Sequence, residues 1–222
     1  MTLSPRITLI HAVTVAIAPV LEAFREGWPE AEVSNLLDDG LTGSLAREGG
    51  LTPPIVQRIR DLATYAARSG ADGILFTCSA FTPAMDKARE DVTIPLLKPD
   101  EAMFASALDA GRRIGVVATF PGTIPVAEPQ IRAMAAARGV DVEIVSAVVP
   151  EGFKAMNAGD TSTHDRLVAD AAATLAPRVD VLCLAQFSMA RARPEVERRV
   201  TVPVLTSPTA AVQRLRALLG PR

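Results

Sequence analysis

Short apolar runs rich in β-branched residues alternate along the chain with segments of helical periodicity. In the first half these runs are residues 7–11, 32–36, 73–76 and 94–97. Residues 53–69 open with prolines and repeat apolar side chains at helical spacing. Nearly continuous apolar strands that alternate with helices are typical of parallel sheets covered by helices on both faces.

The second half repeats this pattern at a nearly constant separation. ADGILFTCSAF at 71–81 corresponds to VDVLCLAQFSM at 179–189, so Asp72 and Asp180 are equivalent positions. TIPLL pairs with TVPVL, and ITLIHAV with IGVVATF, at almost the same separation. Three matched pairs indicate a duplicated chain. The apolar runs of the second half are residues 114–118, 142–146, 181–184 and 202–205, with a helical pattern at 163–175.

The duplication predicts an α/β fold of two pseudo-symmetric, doubly wound lobes, each with a mainly parallel four-stranded sheet. We expect residues 1–98 and 207–222 to form the N-terminal lobe, with 209–219 as a last helix packed on it. Residues 99–206 then form the C-terminal lobe. Because the copy of the first run is internal, we interpret residues 7–13 as a strand rather than a secretory leader. Ligands bind beyond the carboxyl ends of parallel strands, so the active site is expected in a cleft between the lobes.

Composition and charge narrow the classes of function. The chain of 222 residues has a formal net charge of -2, which gives no basic surface of the kind that nucleic acids require. No segment reaches the roughly 18 uninterrupted apolar residues of a membrane span. Two cysteines form no disulfide framework. We therefore expect a cytoplasmic protein that binds neither nucleic acid nor membrane, and a homodimer is ordinary for a chain of this size.

Recognised cofactor motifs do not occur in the sequence. There is no glycine-rich phosphate loop with a GK pair and no GxGxxG after a strand. Two separated histidines and the absence of paired cysteine spacing argue against a zinc site. Lys87, Lys98 and Lys154 are the only lysines, and none has a context that supports a pyridoxal Schiff base. The sequence therefore predicts chemistry without a cofactor or a metal.

Three short blocks carry a resemblance to a known superfamily. They are DGILFTCSAF with Cys78, IGVVATFPGT with Thr119, and LAQFSMA with Gln186. In this order and spacing they resemble the aspartate/glutamate racemase superfamily, which includes hydantoin racemases, maleate isomerases and arylmalonate decarboxylases. The resemblance implies the two-lobed fold, independence from pyridoxal phosphate, and proton transfer by a cysteine. In the two-base members of this superfamily, a cysteine stands on each side of the cleft.

The two halves of this chain differ at the position of that cysteine. Six positions after Asp72 comes Cys78, whereas six positions after Asp180 comes Gln186, which cannot transfer a proton at ordinary pH. Cys183 lies three residues earlier, inside the apolar run, and is interpreted as a core residue. The sequence therefore supplies one thiol for catalysis.

Cys78 is the predicted catalytic residue. It follows a strand and precedes a helical turn, where backbone N–H groups and the helix dipole lower a thiol pKa from about 8.5 toward neutrality. Removing a proton from the carbon next to a carboxylate gives an enediolate, which hydrogen-bond donors must stabilise. Some candidate hydroxyls alternatively cap helices. The predicted substrate-binding residues are His11, Ser79, Thr119, Thr123, Gln186, Phe187 and Ser188.

We expect different roles for the two histidines and for Lys98. His11 ends the first strand, so it is a substrate contact, a second proton carrier or a hydrogen-bonded structural histidine. His164 lies near a helix start, and we expect it at the surface. Lys98 follows TIPLL, and a solvated or interlobe role is favoured over pairing with a distal carboxylate.

Three hypotheses for the function follow from these observations. The leading one is a cofactor-independent racemase or isomerase that acts on the carbon α to the carboxylate of a small amino acid or related acid. The second is a lyase that decarboxylates a substituted malonate, with Cys78 protonating the enediolate, which requires only one thiol. The third is a binding protein that senses a small carboxylate without turnover.

Overall fold

The predicted strands of the first half form one parallel sheet of four strands. The structure is a computed structural model that describes residues 4–220. Contacts divide the chain into two units, of which the first is Met1–Pro99 with Ala211–Arg222 and the second is Asp100–Ala210. The strands of the first unit are β1 (Arg6–His11), β2 (Glu32–Leu37), β3 (Gly73–Phe76) and β4 (Leu96–Leu97).

Helices connect these strands and cover the sheet. The prolines at 53 and 54 begin helix α3 (Pro53–Arg68) as expected, and its buried face carries Ile55 and Ile59. These residues join Ile10, Ile74 and Phe76 in one apolar core. The helices are α1 (Ile17–Gly27), α2 (Gly40–Glu48), α3 (Pro53–Arg68) and α4 (Thr82–Arg89), with single 3-10 turns at Thr14–Ala16 and Ser79–Phe81.

The second unit also has four parallel strands, which are β5 (Arg113–Ala118), β6 (Glu143–Val148), β7 (Val181–Leu184) and β8 (Val204–Thr206). Their order is β6-β5-β7-β8, which repeats the order β2-β1-β3-β4 of the first unit. Its helices are α5 (Glu101–Ala110), α6 (Ile124–Ala137), α7 (Pro150–Asn157), α8 (Thr161–Leu175) and α9 (Arg193–Glu197), with 3-10 turns at Pro121–Thr123, Ala176–Arg178 and Phe187–Ala192. The predicted α/β class with two parallel four-stranded sheets is therefore confirmed.

The two repeated aspartates perform the same structural task. The carboxylate of Asp72 accepts a hydrogen bond of 2.8 Å from the backbone N–H of Arg6, where β1 begins. The carboxylate of Asp180 accepts bonds of 2.9 Å from the backbone N–H groups of Arg112 and Arg113, where β5 begins. These backbone bonds and the Arg113 guanidinium lower the pKa of Asp180 to about 2. Each aspartate thus aligns the starts of the two central strands of its sheet.

The last helix, α10 (Ser207–Leu219), starts in the second unit and ends in the first. The Arg216 guanidinium donates a hydrogen bond of 2.8 Å to the carbonyl of Gly27. A Cβ atom built on Gly73 would lie 2.7 Å from Cδ1 of Leu219, so the Leu219 side chain packs directly on the backbone of β3. The last two turns of this helix thus contact α1 and β3.

Candidate active site

Cys78 lies just beyond the carboxyl end of β3. Its backbone is extended (φ -129°, ψ 110°), and it immediately precedes the 3-10 turn Ser79–Phe81 that leads into α4. The residue is half-buried and packs against the core of the first unit. The geometry therefore places the sulfur at the start of a helical segment and not inside the sheet.

Cys183 has the opposite environment. It lies within β7, is completely buried, and is not joined to Cys78 by a disulfide. Burial raises the pKa of its thiol far above the ordinary value, and the nearby Asp100 carboxylate raises it further. The expectation that Cys183 is a core residue is therefore confirmed.

His11 is tied to the segment that carries Cys78. It ends β1 and is fully buried, with its Nδ1 2.8 Å from Oγ1 of Thr77 and its Nε2 2.9 Å from Oδ1 of Asn35. An amide oxygen only accepts, so Nε2 carries the proton and Nδ1 accepts the Thr77 hydroxyl hydrogen. Burial lowers the pKa of His11, which the Asn35 bond opposes. A neutral imidazole therefore holds the residue immediately before Cys78.

Sequence reasoning missed Thr77 and Asn35. Asn35 is a polar residue within the otherwise apolar end of β2, and Thr77 directly precedes Cys78 in the repeated block. Pairing of β1 with both β2 and β3 brings the two side chains to opposite edges of the same imidazole. A polar residue at the apolar end of a strand that pairs with β1 is the signal that points to such a partner.

In the second unit, Gln186 occupies the place after β7 that Cys78 occupies after β3. Its carboxamide oxygen accepts three hydrogen bonds: from the Thr119 backbone N–H at 2.7 Å, the Thr119 hydroxyl at 2.9 Å, and the Phe120 backbone N–H at 3.1 Å. Thr119 is buried and directly follows β5, while Gln186 is half-buried. The two backbone donors of this turn are therefore already engaged by a protein oxygen.

The remaining predicted site residues follow the same strand ends. The Ser79 carbonyl accepts a bond of 2.8 Å from the Thr82 hydroxyl, which closes the first turn before α4. Thr123 is buried immediately before α6, and its side chain makes no capping hydrogen bond there. Phe187 is buried and Ser188 half-buried. The predicted site residues of each unit thus lie at the carboxyl end of its sheet. In the first unit they are Cys78, Ser79 and His11, and in the second unit they are Thr119, Thr123, Gln186, Phe187 and Ser188. The contacts of these residues with substrate stay predictions.

An exposed pair of aromatic rings lies beside the Gln186 turn. Phe120 is 49% exposed and Phe153 of α7 is 37% exposed, with ring centroids 5.5 Å apart. A Cβ atom on Gly122 would lie 2.6 Å from Cε1 of Phe120, so the ring rests over the glycine backbone. The two solvent-facing rings contact each other and form an apolar surface next to the turn.

The prediction for His164 was wrong. It is completely buried, and its Nδ1 lies 2.8 Å from a carboxylate oxygen of Asp165, which also accepts a bond of 3.0 Å from Nε of Arg191. The reason is that His164 lies one turn before Val168 and two turns before Ala172, on the buried face of α8.

Lys98 forms an ion pair inside its own unit. Nζ of Lys98 donates a bond of 2.8 Å to Asp86, within the first unit.

Across residues 4–220, no three His, Cys, Asp or Glu side chains are grouped so that they could hold a metal ion. The helices of the same stretch include none with the length and apolar character needed to cross a bilayer.

Comparison with known proteins gives one family. The family model described as Asp/Glu/Hydantoin racemase matches residues 45–215. Among curated proteins, the uncharacterized protein C576.02 of Schizosaccharomyces pombe is 25% identical over 194 residues, covering 85% of this chain and 75% of that protein.

Solved structures share the fold. The allantoin racemase of Klebsiella pneumoniae is 18% identical with a TM-score of 0.73, and the match covers 97% of this chain and 88% of that chain. The aspartate racemase of Picrophilus torridus is 16% identical with a TM-score of 0.74, covering 99% and 96%. At these identities the likeness concerns the fold alone.

Proposed function

Because the chain belongs to the Asp/Glu/Hydantoin racemase family and is an enzyme of the racemase or isomerase kind, we propose that Cys78 is its acid–base catalyst. The proposed reaction needs no cofactor and moves a proton at the carbon α to the carboxylate of a small amino acid or related acid.

The position of Cys78 is the observation that carries the proposal. Of the two cysteines, only Cys78 stands at a strand end before a helix and is partly accessible. Backbone N–H groups at such a place stabilise a thiolate, which is the form that accepts a proton. Cys183, buried within a strand with a raised pKa, is unsuited to that task.

The Cys78 thiolate takes the hydrogen on the α carbon and becomes a thiol, while the electron pair of the C–H bond moves into the carboxylate to form an enediolate. A water molecule then gives a proton to the α carbon from the opposite face for racemisation, and the hydroxide that remains takes the proton of the thiol, which restores the thiolate. Hydrogen-bond donors that are already in place stabilise the enediolate more than the substrate, which lowers the barrier. We propose the Ser79 and Ser188 hydroxyls among these donors.

The second proton carrier is proposed to be water. His11 was the side-chain candidate, but both of its ring nitrogens have protein partners and its pKa is lowered by burial. These contacts favour a positioning role, in which His11 fixes Thr77 and thereby Cys78.

Gln186 favours a second candidate, a lyase. The second unit has Gln186 at the position equivalent to Cys78, and an amide does not act as an acid–base catalyst at ordinary pH. In a substituted malonate, the electrons of the bond to the departing carbon dioxide remain on the α carbon. The Cys78 thiol then protonates that carbon from one face and is restored by a proton from water.

One experiment separates these functions. The protein is incubated in deuterated water with amino acids, hydantoins, hydroxy acids and substituted malonates, and the products are followed by NMR. Exchange of the α hydrogen with loss of configuration supports the isomerase, whereas carbon dioxide with one deuterium added stereospecifically supports the lyase. Saturable binding without either outcome would contradict both and favour a carboxylate sensor.

Two variants test the assignment of the thiol. We expect Cys78→Ala to lower turnover at least about 100-fold, as loss of a general acid–base group does. Cys183→Ala is the matched control, and its turnover should stay close to that of the native protein. Circular dichroism melting checks that both variants fold. Turnover that survives in Cys78→Ala would refute the role of Cys78.

A further inference from the structure

The Gln186 side chain is held through its oxygen alone. All three of its hydrogen bonds, from the Thr119 N–H, the Thr119 hydroxyl and the Phe120 N–H, end on Oε1. Backbone N–H groups can only donate, so the atom that they contact must be the carboxamide oxygen and not the nitrogen. The orientation of the amide group is therefore fixed by chemistry.

This orientation directs a donor group away from the turn. Nε2 of Gln186 carries two N–H hydrogens, and in the described part of the second unit it has no hydrogen-bond partner. The residue is half-buried, so the nitrogen is not sealed in the core. Three bonds on the oxygen hold the two N–H groups in place before any ligand arrives, which reduces the entropy lost on binding.

We infer that Nε2 of Gln186 binds the substrate carboxylate and stabilises the charge that develops on it. The inference rests on the proposed function and assigns Gln186 a binding role in place of proton transfer. A rigid amide donor suits an anion, because the hydrogen bond is charge-assisted and needs no reorganisation during the reaction. The Thr119 and Phe120 amides then act through Gln186 by orienting it.

A purely structural role for Gln186 makes a different prediction. If the side chain only satisfied the turn, any group with an acceptor at the same position would serve. Glutamate is such a group, because its carboxylate accepts the same three bonds and is nearly the same size. Gln186→Glu therefore preserves the turn while replacing the NH2 donor with a second oxygen.

Gln186→Glu is the decisive variant. With the acid that the native protein converts, we expect its KM to rise about 10- to 100-fold, the range for losing one hydrogen bond to a charged group. Gln213→Glu is the matched control, since it makes the same substitution at an exposed position of α10 and its KM should not change. An unchanged KM in a folded Gln186→Glu protein overturns the inference.

A second measurement does not depend on that variant. The 15N-labelled Cys78→Ala protein, which keeps Gln186, is titrated with the same acid, and the side-chain NH2 resonances of Gln186 are followed by NMR. We expect both hydrogens of this pair to shift with saturation, and an unshifted pair overturns the inference. Failure of the proposed function is distinct, because it would appear as native protein that converts no acid or as Cys78→Ala protein that still does.

Discussion

Among single residues, Asp100 has a carboxyl group with an unusual pKa. It is buried next to α5 and accepts a hydrogen bond of 2.5 Å from the Ser207 hydroxyl. Burial raises the pKa of its carboxyl to about 6, although the Ser207 bond acts in the other direction. Because this exceeds the ordinary value of 3.8, the folded protein binds the proton more tightly than the unfolded chain does.

The sign of the resulting pH dependence is fixed by linkage. The stabilisation from protonated Asp100 is complete below about pH 4 and is lost as the pH rises through about 6. Asp100→Asn keeps the oxygen that Ser207 contacts and has no charge. At pH 8 its free energy of unfolding should therefore exceed that of the native protein by up to about 3 kcal/mol. Urea unfolding from pH 4 to pH 8 measures this difference.

A matched substitution controls for the lost negative charge. Asp109→Asn removes a carboxylate that is exposed and paired with Arg138, so its effect should be within about 0.5 kcal/mol at both ends of the pH range. If the free energies of unfolding of Asp100→Asn and of the native protein differ by the same amount at pH 4 and at pH 8, Asp100 does not titrate as described.

Sequence reasoning reached some site residues and not others for identifiable reasons. The repeat located Cys78 and Gln186 at equivalent strand ends, because that assignment needs only the strand order. It did not reveal that the oxygen of Gln186 closes the turn after β5, since this depends on the side-chain conformation. His164 was misplaced because it was judged from its place near the start of the helix, although it shares the buried face of α8 with Val168 and Ala172.

At the level of elements, proline explains where the strands are shorter than predicted. Residues 94–97 and 202–205 were expected as strands, yet β4 is Leu96–Leu97 and β8 is Val204–Thr206. Pro95 and Pro203 have no N–H to donate to a neighbouring strand. Their carbonyls still accept bonds of 2.8 Å and 2.9 Å from Ile74 and Leu182, so each proline attaches the strand to its sheet without extending the ladder.

The aromatic pair beside the Gln186 turn leads to a prediction about selectivity. An apolar substituent on the substrate would contact the Phe120 ring, and contacts of this size contribute roughly 1.5 kcal/mol. Phe120→Ala keeps the backbone N–H that Gln186 accepts. We expect it to lower kcat/KM for phenyl-substituted acids about tenfold relative to their methyl-substituted counterparts.

Tyr65→Ala provides the comparison for this test, because Tyr65 is 59% exposed on α3 and lies in the first unit. Its ratio of kcat/KM values for the two classes of acid should equal that of the native protein. Equal losses for both classes in Phe120→Ala would show that the ring contributes to the turn and not to selectivity.

For the whole molecule, duplication was the most informative feature of the sequence. Matching blocks predicted two sheets of one topology, and the strand orders β2-β1-β3-β4 and β6-β5-β7-β8 agree with that. The repeat could not predict how each half differs chemically, because Cys78 and Gln186 occupy equivalent places with unrelated side chains. The fold is therefore specified by the shared pattern, and the function depends on the departures from it.

The C-terminal segment makes the first unit discontinuous, which has a measurable consequence. Leu215 of α10 is fully buried, and its Cδ2 lies 3.3 Å from where a Cβ on Gly73 would stand, so it packs against β3 from more than a hundred residues away. Leu215→Ala should lower the free energy of unfolding by about 2–5 kcal/mol, because it leaves a cavity in the core. The neighbouring Arg214 is exposed, and Arg214→Ala should change it by less than about 0.5 kcal/mol. Equal effects of the two substitutions in urea unfolding would mean that α10 does not complete the first unit.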